Sequence, residues 1–348
     1  MNNRKEFFDL LEKTIVRDSL PLQEQIKLYE MIDQKVKEFI PKSFFRFRSF
    51  TMQNLSAFNN DELWFSSPDS MNDGFDARLF VTQEDKEIVK ERIVSEIRAL
   101  NKTTFLKLYE AIKFPSLKNS TILQEVEKQP EDFEPMKSQL LESMNYFFES
   151  LYSCIPDMIQ NRNRICCFSE SINSSSMWGL YGDGETGFCL EYTFDKQPFL
   201  DDSDCRCFLL PVCYTDKRYC LNQEYLQYLA KSICLNYFAI LTGFFEKTGG
   251  QLFHLVCPDL FLALKTIIRK ATDWSNEKEW RLIILTTTQG PRSLHFNKRA
   301  TGVYLGRRID PFNAKILTLL AKEKHIPIYK MRINDESPSF GLEYEPIQ

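Results

Sequence analysis

Glu277 and Glu279 stand two residues apart in Thr272-Asp273-Trp274-Ser275-Asn276-Glu277-Lys278-Glu279-Trp280-Arg281, directly ahead of the apolar run Leu282-Ile283-Ile284-Leu285. In an extended chain, residues i and i+2 project to one face. Both carboxylates would then share a face as the chain enters a strand. Carboxylates held close raise one another's pKa by charge repulsion. Such a pair suits acid/base work or the stabilisation of a developing cation. The plainer reading of the same spacing is a charged, solvated loop before a strand.

A second chemical signal lies far upstream. Phe44-Phe45-Arg46-Phe47-Arg48-Ser49-Phe50 alternates aromatic and cationic residues, a strand pattern that puts Arg46 and Arg48 on one face. A guanidinium fork binds phosphate or carboxylate in a bidentate way. An edge strand with both arginines in solvent is the alternative. Further polar strand ends follow: Ser66 beside Trp64 in Leu63-Trp64-Phe65-Ser66-Ser67, and Ser169 in Cys166-Cys167-Phe168-Ser169-Glu170-Ser171. Asn72-Asp73-Gly74 reads as turn chemistry, because Asn and Gly tolerate positive φ.

Composition narrows the function classes. The chain has 348 residues with 43% hydrophobic content, enough for a packed core. Only 12 are glycine, and neither GxGxxG nor GxxxxGK[ST] occurs, which argues against a Rossmann or P-loop nucleotide site. A net charge of −4 argues against a global electrostatic grip on nucleic acid or an anionic membrane. The amino-terminal segment has no apolar signal-peptide core, and no run of 18 apolar residues spans a membrane. A cytoplasmic protein with reduced thiols is expected. Cys205-x-Cys207 and Cys166-Cys167 lack zinc-ligand spacing, so no metal is expected.

The elements that must position these groups read as follows. Residues 4–15 and 22–39 carry apolar residues at helical spacing, a helical preface ending near residue 42. The remainder, 43–348, reads as one α+β domain. Strands at 44–50 and 63–67 are followed by a helical insertion at about 82–163, opened by a capping box at Thr82. Strands resume at 164–171, 188–194 and 208–214, with Met177-Trp178-Gly179-Leu180-Tyr181-Gly182 as a loop or short helix between the first two. Helical spacing returns at 222–247 and 260–268. The glutamate pair and its strand come next, then short strands at 292–296 and 302–305, a helix at 311–323 and a last strand at 326–333. The expected fold is a mixed, mainly antiparallel split β-sheet core with helical insertions and an N-terminal helical pair.

Taken in order, Phe45-Arg46-Phe47-Arg48-Ser49, Leu63-Trp64-Phe65-Ser66-Ser67-Pro68, Met71-Asn72-Asp73-Gly74-Phe75-Asp76, Cys167-Phe168-Ser169-Glu170, Met177-Trp178-Gly179-Leu180-Tyr181-Gly182, Gly187-Phe188-Cys189-Leu190 and Trp274-x-x-Glu277-x-Glu279-x-Arg281 resemble a bacterial group, domain-of-unknown-function family 2971. The likeness runs from about residue 44 to 310. The chain departs from the family pattern at Gly74, where proline is usual, and lacks a histidine or basic residue near Glu185. The family name carries no function.

A further resemblance does. Arginine on a first strand, serine on a middle strand and Glu-x-Glu before a later strand resemble the arginine-serine-glutamate arrangement of mono-ADP-ribosyltransferases. The resemblance implies an enzyme that transfers ADP-ribose from NAD to a protein or nucleic-acid acceptor, as a toxin or anti-phage defence effector. By motif, Arg46 or Arg48 would hold the NAD phosphates or nicotinamide ribose, and Ser169 would brace the active-site strand and the glutamate. Glu279 would bind the ribose 2′-hydroxyl and stabilise the oxocarbenium ion, and Glu277 would orient or deprotonate the acceptor. Trp64, Trp178 or Tyr181 would stack on nicotinamide, with Ser66 beside them in the dinucleotide site. This chemistry requires segments more than two hundred residues apart to converge on one cleft.

Two other readings remain open at this level. One is a non-enzymatic sensor module of a defence system that binds a nucleotide or partner, with Glu277 and Glu279 salt-bridged to Arg281 or Arg48. The other is a metal-dependent nuclease using Asp73, Asp76, Glu277 and Glu279.

Overall fold

A computed structural model describes residues 2–101, 103–104, 133–160, 163–194, 206–241, 257–285, 293–336, 338 and 341–347. Its centre is β3 (Asn163–Ser169), which is buried almost throughout. One edge of β3 pairs along its whole length with β8 (Glu279–Leu285), from Asn163↔Leu285 to Ser169↔Glu279. Near-continuous apolar runs in both strands fit elements covered on two faces.

The other edge of β3 is shared. β1 (Phe44–Arg48) meets it at Phe45↔Ser169, while β2 (Glu62–Ser66) meets it at Ser66↔Ile165. Between those points β1 and β2 part, leaving a seam along β3. This is the split in the sheet.

From β1 the sheet continues through β4 (Phe188–Tyr192) and β10 (Gly302–Leu305), both antiparallel steps. β10 then pairs in parallel with β11 (Ile328–Ile333), and β12 (Leu342–Pro346) closes that edge. The parallel step needs a crossover, and a helix over Pro311–Glu323 supplies it. Asp310 caps this helix by accepting from the Phe312 and Asn313 N–H groups, and Pro311 occupies its first turn. β9 (Ser293–Asn297) lies beyond β2, and β5 (Arg206–Pro211) lies beyond β8. The α+β, mainly antiparallel split sheet read from the sequence is present. The strand at 208–214 is interrupted after Pro211: β6 (Cys213–Tyr214) leaves to pair in parallel with β7 (Arg269–Lys270).

The helical preface is α1 (Asn2–Lys13) and α2 (Leu22–Lys37). Phe7, Leu11, Ile32 and Val36 join the same apolar core as Phe44 and Trp280 on the sheet. The buried Lys265 ammonium fastens this junction, donating to the Thr14 carbonyl at 2.8 Å and to Asp259 at 2.6 Å. Asp259 in turn accepts from the Val16 N–H. A short α3 (Met52–Asn59), capped by Thr51, fills the β1–β2 connection, where no helix was expected.

Between β2 and β3 lie α4 (Gln83–Ala99) and α5 (Phe133–Cys154). Thr82 caps α4 by accepting from the Asp85 N–H, as its capping spacing predicts. The breaks expected at Phe114-Pro115 and Gln129-Pro130 lie outside the described residues. So do Cys205 and the end of the 222–247 segment, of which α7 (Gln223–Leu241) is described. A second, smaller apolar cluster sits on the opposite face of β1. There Phe45, Phe47, Cys189 and Tyr304 pack with Trp178 of α6 (Ser175–Leu180). No helix among the described residues is long and apolar enough to cross a membrane.

Candidate functional site

The glutamate pair is built by a turn rather than by the pleat. A 3-10 turn covers Thr272–Glu277, and Lys278 adopts left-handed backbone with φ 45° and ψ 50° before β8 begins. An extended chain through this point, expected from the i, i+2 spacing, is therefore corrected. The pair still converges. Lys270, at the end of β7, places its ammonium 2.5 Å from Glu277 and 3.1 Å from Glu279. The solvated-loop reading is also corrected, because Glu277 is 2% and Glu279 4% exposed.

Each carboxylate has its own surroundings. Glu279 accepts from the Arg281 guanidinium at 2.8 Å, and Arg281 grips Asp76 with two further bonds of 2.6 Å. The Tyr181 hydroxyl donates to Glu277 at 2.6 Å. The Ser169 hydroxyl, fully buried, donates to the Glu277 main-chain carbonyl at 2.7 Å. The Glu279 N–H donates to the Tyr214 hydroxyl at 2.8 Å.

These surroundings push the two acids apart. Burial works to raise the Glu279 carboxyl, but Arg281 and Lys270 together outweigh it and hold the group at about 2. Burial lifts the Glu277 carboxyl above its usual range; Lys270 opposes this and the nearby Glu279 charge adds to it. One acid is thus held firmly ionised while its neighbour's pKa is raised, the pattern that separates acid/base roles within a pair.

Both glutamates line a cavity of about 260 Å³ that opens on the β3 seam, with Ser169, Tyr181, Phe45 and Phe47 in its wall. Arg46, Arg48 and Ser66 line it too. The arginines arrive from the far side. Phe45 pairs with Ser169 and Ser169 with Glu279, so these three share one face of the sheet. Arg46, one residue further on, leaves by the other face and lies 5.9 Å from the Phe168 ring centre. Its guanidinium plugs the seam, donating to the Trp64 carbonyl at 2.7 Å and to the Cys166 sulfur. Its Nε has no hydrogen-bond partner among the described residues, and the residue is 9% exposed. β1 lies between β4 and β3, which corrects the edge-strand reading of these arginines. Arg48 makes no ion pair with Glu279, and it borders both this cavity and a small groove beside α3.

Two aromatic assignments are corrected. Trp178 is fully buried, donates to the Ile172 carbonyl at 2.9 Å and packs edge-on against Phe47 at 5.1 Å. A fully buried ring cannot stack on a ligand in the cavity. Trp64 lines the groove beside α3 rather than the main cavity, and its indole N–H donates to Glu62 at 3.0 Å. Tyr181 alone of the three aromatic candidates reaches the cavity wall. Sequence reasoning missed Lys270 and Tyr214. The only local signal for Lys270 was a cation directly after the apolar run 260–268. Nothing local marked Tyr214.

The oxygens that a cation would need in the nuclease reading are engaged: Asp76 and Glu279 by Arg281, Glu277 and Glu279 by Lys270. The fourth carboxylate of that reading, Asp73, lines a separate cavity.

Residues 177–282 match the model of a family described as protein of unknown function (DUF2971). The match covers most of α6, β4, Lys270 and the Glu277–Arg281 stretch, and it is narrower than the likeness read along 44–310. No curated protein and no solved structure matches the chain.

Proposed function

We propose that the cavity on the β3 seam takes the nicotinamide-ribose half of NAD and that the protein transfers ADP-ribose to an acceptor. The observation that carries this reading is the Ser169–Glu277 bond. It ties the middle strand to the glutamate turn inside a cavity that both glutamates and the β1 arginines line. At about 260 Å³ the cavity is just under the roughly 300–1,000 Å³ usual for ligand sites. It suits part of a dinucleotide, with the phosphates lying outward toward Arg48.

In the proposed reaction the bond between ribose C1′ and the nicotinamide nitrogen breaks, and its electron pair leaves with nicotinamide. Positive charge builds on the ribose. The Glu279 carboxylate, ionised and fixed before the event, stabilises that charge without reorganising. The acceptor's nucleophile then bonds to C1′ and gives up its proton, and Glu277 is the group placed to take it. Tyr181 and Lys270 hold Glu277 in place. Such an activity would suit a toxin or a defence effector.

The test is incubation with NAD and detection of free nicotinamide by mass spectrometry. Release by the wild type, lost at least a hundredfold in a folded Glu279→Gln variant, is the expected result. The second reading, a nucleotide-binding module without catalysis, is favoured by one observation: both Glu279 oxygens are engaged by Arg281 and Lys270. NAD binding with no nicotinamide release would favour that module.

A further inference from the structure

A second cavity, of about 240 Å³, adjoins the first and shares Lys270 with it. Its wall comes from the 73–78 turn, the 215–219 loop after β6, and residues 266–271 around β7. Five of its lining residues are cationic, Arg78, Lys217, Arg218, Arg269 and Lys270, against the carboxylates Asp73 and Asp216. Three of the cations are already paired: Arg78 with Asp157, Arg269 with Glu12, and Lys270 with the glutamates. Lys217 and Arg218 have no ion-pair partner among the described residues.

Two features of this cavity ask for a ligand. Asp73 is 8% exposed; its Oδ1 accepts from the Phe75 N–H at 2.9 Å, while its buried Oδ2 has no hydrogen-bond partner among the described residues. A buried acceptor left empty is costly, so such groups are normally satisfied. The Arg218 guanidinium lies 5.5 Å from the Phe75 ring centre and 4.9 Å from that of Phe80. Phe75 is nonetheless 64% exposed, so much of its ring, beside a cation with no ion-pair partner among the described residues, is open to solvent.

We infer that this cavity binds a nucleoside phosphate: the base stacks on Phe75 and Arg218, the phosphate meets Lys217 and Arg218, and an N–H or O–H of the ligand donates to Asp73 Oδ2. Aromatic and arginine faces accept bases of any sequence, and paired cations track the phosphate. The ligand could be a free mononucleotide or a residue of a single strand, since both carry this chemistry. Resting on the donor site proposed above, the cavity is the acceptor side of the reaction. Lys270 is the partition between acceptor and donor.

The experiment is fluorescence anisotropy with labelled AMP and with labelled ten-residue single-stranded DNA and RNA, in the absence of NAD. Binding by the wild type is expected, weakened about tenfold or more by Phe75→Ala and by Arg218→Ala while melting temperatures hold. For the single strands, Arg218→Ala should also reduce the slope of log affinity against log salt by about 0.7, one phosphate contact. Competition by unlabelled AMP identifies the free nucleotide as the source, and binding of strands alone identifies nucleic acid. Absence of binding by all three probes, or binding that neither variant alters, overturns the inference. Binding without nicotinamide release from NAD overturns only the donor reading.

Discussion

The Lys270 ammonium stands between two buried carboxylates, 3.1 Å from Glu279 and 2.5 Å from Glu277. Removing it leaves two acids facing one another, with Arg281 as the one cation left on Glu279 among the described residues. Lys270→Met should therefore cost about 3 kcal/mol of stability, read by urea denaturation. Adding Glu277→Gln removes the repulsion and should recover about 1 kcal/mol or more, so the two changes will not be additive. Additive losses would show that the three groups do not act as a unit.

Glu279 sets a pH dependence whose sign follows from its neighbours. Its carboxyl sits at about 2 in the folded chain against 4.5 ordinarily. The stability it contributes is full above the ordinary value and is lost as pH falls from there toward 2. The size is about 3 kcal/mol by the 1.36 kcal/mol that one pKa unit represents. Glu277 works oppositely: raised in the fold, it favours the native state below its unfolded pKa and costs stability as pH rises through its folded pKa. Glu279→Gln should flatten the fall in melting temperature between about pH 5 and pH 3 relative to the wild type. An unchanged acid limb would mean that the carboxylate is not held as the geometry requires.

Lys278 carries the turn that brings the two acids together, at φ 45° and ψ 50°. L-residues pay about 1–2 kcal/mol for this conformation, and β-branched ones suffer most. Lys278→Val should lower stability by about 2 kcal/mol, whereas Lys278→Gly should stay within about 0.5 kcal/mol of the wild type. Thermal unfolding distinguishes them; equal effects would argue against a left-handed residue here.

Much of the frame was legible because it is local. Alternation marked β1 and β4, and the apolar runs marked β3 and β8. The crossover helix was read at 311–323, where it is found, and the structure adds its cap at Asp310. α3 escaped because an eight-residue helix in a connection has too few turns to show a period. Trp178 was misplaced for a related reason: a tryptophan in a short segment looks the same whether it faces a ligand or a second core.

By itself the sequence determined most of the strands, though neither β7 nor β12, and it determined that Arg46 and Arg48 share a face and that two glutamates stand beside a strand entry. Those are properties of periodicity within single elements, which a few neighbouring residues encode. Only the tertiary structure decided that both glutamates are buried on Lys270 and that the arginines reach the cavity from the far side of the sheet. It also decided that β1 and β2 part along one edge of β3. Face-to-face relations between strands depend on pairing register, and one residue of slip inverts every face. The register between β1 and β3, more than a hundred residues apart, puts Phe45, Ser169 and Glu279 in one row. No window of local sequence contains that row.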